Sequence, residues 1–325
     1  MLRQKPLFAA AALLTACISS AQFTDVINSN RPGESMSAFS VGKTVIQAEA
    51  GTYISDEKYD FYETDATGFG GDLAVRYGAF FEQLELILEL QYQRDHVQTP
   101  VDDYYRNGFR QTTFGAKYLI YDPNKNYEKK PDLYSWKANH SFSWHEFIPA
   151  VAAYAGFNLN FFNSPYYYDH EEKVTPKFMI ITQNQFGKWV LVTNFIADRI
   201  VSKYMSYGFV GTVTRGFNER WSGFLEGQAV KSDQYSDMIF RAGAAYLIKE
   251  NIQIDASFGT NVKDTPSILS GGIGISWRFD ENYEDVVLRA PKEDKKDKKS
   301  KEEKKKEKEA KKRKDAIEGT GDEKP

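Results

Sequence analysis

Between Lys43 and Phe279, apolar and polar positions alternate in one run after another, with turn residues between the runs. Leu84, Leu86, Leu88, Leu90 and Tyr92 fall on one face of an extended chain, and Glu85, Glu89, Gln91 and Gln93 on the other. Met238, Phe240, Ala242, Ala244 and Tyr246 oppose Arg241 and Gly243. Ile252, Ile254, Ala256 and Phe258 oppose Gln253, Asp255 and Ser257. Twelve runs are readable, at 43–54, 68–78, 83–94, 108–121, 146–162, 174–186, 188–198, 204–215, 220–231, 236–248, 251–260 and 268–279. This length and period predict an all-β fold, a transmembrane antiparallel β-barrel of about 12 strands, with apolar faces toward lipid and polar faces lining the interior.

Connection lengths orient the barrel. Turns near Gly78–Glu82, Phe186–Lys188, Gly216–Glu219 and Ile248–Asn251 are short, as periplasmic turns are. Segments 55–67, 95–107 and 163–173 are longer and are expected outside. An even strand count starting in the periplasm returns Phe279 there. The stretch Asp122 to His145 is long but falls on the periplasmic side. Either it holds a short amphipathic helix around Leu133–Trp144, or the strand count is off at that point. Tyr77, Phe80, Tyr118, Tyr121, Trp189, Trp221, Tyr246, Trp277 and Phe279 recur at this same end of successive strands, as an interfacial girdle would.

Composition supports the pattern. Aromatic residues make up 15% of the chain, which suits a barrel with two girdles. No apolar run approaches the roughly 18 residues that a spanning helix needs. At the start, Arg3 and Lys5 precede the apolar stretch 7–16, and Ser19-Ser20-Ala21 supplies the small residues of an export cleavage site, so residues 1–21 read as a signal peptide. Leu14-Thr15-Ala16-Cys17 is a competing lipobox-like pattern; cleavage after Ala21 is preferred because a barrel needs no lipid anchor. Residues 22–42 are expected to form an N-terminal plug or rim segment, 43–279 the barrel, and 280–325 a charged periplasmic tail. Residues 291–325 carry 15 basic and 11 acidic side chains, whereas 22–290 carry 25 basic and 34 acidic ones. Glu and Lys spaced four apart in the tail would support a solvated helix.

Several motifs point to one family. Asn30-Arg31-Pro32-Gly33-Glu34-Ser35 is followed by Gln47-Ala48-Glu49-Ala50-Gly51, Arg76-Tyr77-Gly78, Gly115-Ala116-Lys117-Tyr118, Asn251 to Asp255 and the terminal Gly274-Ile275-Ser276-Trp277-Arg278-Phe279. In this order they resemble the outer-membrane β-barrel family named for the MetA pathway of phenol degradation. The resemblance implies a barrel and a transport role, and the charged tail departs from the family pattern. The spacing of Gly274, Trp277 and Phe279 also resembles the C-terminal signal read by barrel-assembly machinery.

Candidate chemistry follows from the inward faces. Glu49, Asp72, Arg76, Glu85, Glu89, Lys117, Asn194, Glu226, Gln228, Arg241, Asp255 and Arg278 are expected to face the lumen. Charges enclosed there must be paired or hydrated. Arg76, Lys117, Arg241 and Arg278 are therefore expected to form a ladder with the acidic set, and Arg31 to fold in and pair with Glu49 or Glu85. Two readings stay open: a polar constriction that filters solutes, or a salt-bridged interior that only stiffens the wall. Tyr166-Tyr167-Tyr168 beside Asp169, His170, Glu171 and Glu172 reads as a solvated outer loop rather than a ligand grip. His96, His140, His145 and His170 make no metal-ligand spacing, and Ser141 and Ser143 near His145 lack an evident acid partner or oxyanion donors. No catalytic site, metal or cofactor is expected. The expected function is an outer-membrane channel or passive transporter for small molecules, aromatic or hydrophobic ones included. The alternative is a non-conducting accessory subunit of an outer-membrane assembly. Expected partners are outer-membrane lipid, barrel-assembly machinery and, through the tail, periplasmic envelope proteins or peptidoglycan; nucleic acid is not.

Overall fold

Twelve alternating segments become twelve antiparallel strands. A computed structural model describes residues 27–125, 144–162, 164–168 and 170–280. The strands are β1 (Ile46–Tyr59), β2 (Thr64–Gly78), β3 (Leu84–Gln98), β4 (Asp103–Tyr121), β5 (Ala150–Leu159) and β6 (Val174–Phe186). They continue as β7 (Trp189–Asp198), β8 (Ser206–Gly216), β9 (Trp221–Ser232), β10 (Ser236–Lys249), β11 (Ile252–Asn261) and β12 (Ser267–Phe279). Each pairs with its sequence neighbours, and β1 pairs with β12, so the sheet closes with no free edge. Closure satisfies every strand's backbone within the sheet, which is the condition for a sheet to stand in hydrocarbon.

Alternation sets the two faces. Leu225, Ile254, Ile273 and Ile275 are exposed on the outer wall, while Gln47, Glu49, Arg76, Glu85, Lys117 and Asn194 are buried inside. The nine aromatics read from the sequence as one girdle do lie at one end of the barrel, at or next to the strand ends there. Trp221 and Tyr246 pack at 4.8 Å between ring centroids, and Trp277 and Phe279 at 5.8 Å.

Two expected outer loops are mostly strand. β1 runs on to Tyr59 and β2 starts at Thr64, joined by a 3-10 turn over Asp60–Tyr62. β3 and β4 likewise extend to Gln98 and back from Asp103. The expected helix at Leu133–Trp144 falls almost wholly outside the described residues; from Trp144 to Phe147 the chain forms a 3-10 turn. Residues 146–149, expected in a strand, precede β5 instead.

The interior is not empty. Residues 27–45 run inside the barrel, with Met36, Ala38, Val41 and Val45 at most 4% exposed. Met36 and Ala38 join Ile87, Leu119, Ala152, Tyr154 and Ile181 in an apolar cluster. The segment begins at the girdle end, where the Ile27 amide donates to the Glu250 carbonyl, and returns there, where the Thr44 amide donates to Gly78.

Candidate functional site

The inner segment is not a strand of the sheet. Side chains from the wall hold its backbone instead. The carboxylate of Glu49 accepts from the amides of Asn30 and Arg31, at 3.1 and 3.2 Å to Oε2. That of Glu226 accepts from the amides of Glu34 and Ser35 at 3.0 and 3.2 Å. Asn194 bonds both the amide and the carbonyl of Met36, each at 2.9 Å. Gln183 accepts from Ala38 at 3.0 Å, and Glu85 from Val41 at 3.1 Å. Lys117 Nζ donates to the carbonyls of Ser37 and Phe39, at 2.9 and 3.0 Å. Hydrogen bonds to charged groups are the stronger kind, worth about 1.5–3 kcal/mol each.

Arg31 sits in a cradle that four strands assemble. In register, Asp255 stands beside Gly274, Gly274 beside Gly51, and Gly51 beside Asp72. The guanidinium bridges the two aspartates, reaching Asp72 directly and Asp255 at 3.4 Å. A side chain at either glycine would collide with it. This corrects the expected partner: Glu49 binds the Arg31 backbone, and Glu85 does not bind Arg31 at all.

The expected charge ladder resolves into separate groups. Arg76 pairs with Glu49 at 3.1 Å and Glu85 at 2.5 Å, and Lys117 pairs with Glu85 at 3.2 Å. These four side chains are at most 1% exposed. Arg241 pairs with Glu226 at 2.9 Å and bonds Gln228 at 2.7 Å. Glu89 approaches Lys177 at 4.0 Å. Arg278 pairs with Asp280 at 3.4 Å, beyond the strand end. Trp277 and Phe279 lie on the outer wall, whereas Gly274 faces in.

Beside the inner segment lies a cavity of about 240 Å³ against β6–β11. Val190, Val192, Thr212, Thr214, Phe224 and Ala245 supply wall residues, and the inner segment supplies the other side. Arg31 is the one charged residue of its described lining. Sequence reading missed the parts played by Ser29, Gln183 and Ser276; the inward phase of β6 and β12 was the available signal. Ser29 Oγ lies 2.7 Å from Ser276 Oγ and 3.0 Å from Glu49.

At the opposite mouth Tyr166 of the tyrosine loop packs against the barrel, while Pro165, Tyr168, His170 and Glu172 stay exposed. Tyr166 donates to the Gln93 carbonyl at 3.4 Å and lies under Arg106. Tyr168 stacks on Tyr204 at 4.2 Å, with Arg199 over its ring and Arg199 paired to Glu171 at 2.7 Å. Burial, then Asp95, pushes the Tyr166 hydroxyl pKa up. Burial strips water from Arg199, but Asp198 and Glu171 more than offset this and raise its pKa. Asp169, His140, Ser141, Ser143, Cys17, the signal segment and the tail lie outside the described residues.

The family model described as "Putative MetA-pathway of phenol degradation" matches residues 29–279. Among curated proteins, no sequence matches the chain. Among solved structures, an outer-membrane channel from Pseudomonas putida F1 is similar at 12% identity and a TM-score of 0.50, covering 77% of this chain and 100% of that one. The translocator domain of the autotransporter NalP from Neisseria meningitidis is similar at 8% identity and a TM-score of 0.45, covering 77% of this chain and 90% of that one. The first likeness shows the fold alone, and nothing is carried over from the second.

Proposed function

The chain belongs to the MetA-pathway phenol-degradation family, and from that premise we propose that it is an outer-membrane channel or passive transporter for small molecules. The supporting observation is the way the lumen is filled. Between Asn28 and Val41 the inner segment is held by hydrogen bonds from wall side chains to its backbone, not by strand pairing, so it forms a plug inside a barrel that is already closed without it. A barrel needed only as a rigid wall could be built from about eight strands, whose inward side chains fill the core by themselves. The girdle end is the periplasmic end in this reading, because both ends of the described chain and the two shortest turns, 187–188 and 250–251, lie there. The family name favours aromatic or hydrophobic solutes, and the uncharged wall beside the plug suits them.

A second reading rests on the fully enclosed Arg76, Glu49, Glu85 and Lys117 group, which fixes plug to wall and suits a non-conducting accessory subunit. In that reading the tail after Asp280 contacts envelope partners or peptidoglycan. Solute uptake by proteoliposomes separates the two. A transporter passes small solutes at a rate above that of empty vesicles, with or without residues 22–42. An accessory subunit passes none in either form.

A further inference from the structure

The two halves of the lumen differ in kind. Against β1–β4 the plug is locked by enclosed charges. Against β6–β11 the wall offers uncharged side chains, apolar ones such as Val190, Val192 and Phe224 beside polar ones such as Gln183, Thr212 and Gln253, and leaves the cavity open beside the plug. One inward position beyond the lining on the same strands, Ile181, Asn194, Val210 and Glu226 form an enclosed layer, the ceiling, each at most 3% exposed. Beyond this layer, Arg241 and Glu34 are again partly open, at 17% and 56% side-chain exposure. Glu226 is the ceiling residue that clasps the plug's turn. Its carboxylate takes the Glu34 and Ser35 amides, the Thr212 hydroxyl at 2.8 Å and Arg241 at 2.9 Å. Gly33 lies so close that an added Cβ would meet Glu226 at 2.5 Å.

Resting on the transporter reading, we propose that solutes cross this barrel beside the seated plug, along the β6–β10 wall, and that Glu226 is the inner gate. The chamber takes small, uncharged molecules bearing a hydroxyl. An ion would enter a lining whose one charged residue, Arg31, is already held by Asp72 and Asp255, and a charge left unpaired in so narrow a space is disfavoured. A hydroxyl can instead donate to Glu226 in place of the Glu34 or Ser35 amide, so the carboxylate stays satisfied as the clasp opens. The plug need shift only at Gly33–Ser35; its Arg31 cradle and its Lys117 and Asn194 bonds stay in place.

The test is to lock the plug and ask what still passes. Ser29→Cys with Ser276→Cys joins plug to β12, a strand outside the chamber lining, with Ser29 on the chamber's plug side, and the same protein after reduction is its own control. Full-length protein in liposomes is assayed by swelling in erythritol and in erythronate, the anion of the same four-carbon skeleton. Folding is checked by heat-modifiable migration. The oxidised protein is expected to admit erythritol within about twofold of the reduced protein, and erythronate at least tenfold more slowly. Adding Glu226→Ala to the locked protein is expected to raise erythritol entry several-fold, and adding Thr214→Trp, which fills the chamber, to abolish it. Loss of erythritol entry on oxidation, with recovery on reduction, overturns the side path and leaves the transporter reading standing. Equal entry of erythronate, or entry unchanged by Thr214→Trp, overturns it too. No entry in any form, including a 22–42 deletion, overturns the transporter reading and this inference with it.

Discussion

At the residue scale, the family's short motifs turn out to be parts of one attachment. Gln47 donates to the Asn28 carbonyl at 3.1 Å, Glu49 takes two plug amides, and Gly51 and Gly274 leave the space that Arg31 fills. Arg31→Ala leaves Asp72 and Asp255 without their cation. Asp72 is partly solvated but the Asp255 side chain is enclosed, so a cost of about 3 kcal/mol is expected, measured as a lower urea midpoint for the folded barrel. Gly274→Val displaces the same guanidinium, so the double variant should cost clearly less than the two single costs added. Full additivity would show that the cradle does not act as a unit. Arg76→Met is expected to cost more, about 3–5 kcal/mol, because it strands Glu49 and Glu85 in an enclosed site; an unchanged urea midpoint would contradict that pairing. The inward residues were legible in the sequence because alternation assigns a face to every position. Their partners were not, because a plug meets the wall at positions that no sequence period relates. Arg31 lies 224 positions from Asp255 and still contacts it.

At the element scale, twelve strands were legible wherever lipid enforces an apolar outer face. The reading ended too early on β1–β4. Their outer ends carry polar residues on the outward face, among them Lys58, Thr67, Arg94 and Asn107, while pairing continues. Past the bilayer the outer wall meets water, so the apolar period stops before the strand does. Charge on the outer wall should therefore be costly in the middle of a strand and cheap at its far end. Ile273→Arg, midway along β12, is expected to cost about 2–4 kcal/mol in folded barrel stability. Lys58→Ile and Thr67→Arg are expected to change it by less than about 0.5 kcal/mol. Similar costs at both levels would show that the apolar band has been misplaced.

At the scale of the whole molecule, a closed wall and a plug held by side chains give a lumen that is blocked but not filled. The wall needs no plug to complete its backbone pairing, since β1 and β12 close on each other. The plug does need the wall, whose side chains accept from seven of its amides. That asymmetry was only half legible: composition and alternation revealed a barrel, and the Arg31-Pro32 motif suggested a segment in or beside it. The cavity on the β6–β11 side, where a solute would pass, depends on which half of the wall the plug leans against. Single-channel recording in a planar bilayer tests the central claim, comparing mature full-length protein with a deletion of residues 22–42. The account predicts little ionic current from the full-length barrel and a steady, much larger conductance once the plug is gone. Silence from both forms, with folded barrels confirmed in the membrane, would contradict it and leave the enclosed charges as the stiffening of a wall that conducts nothing.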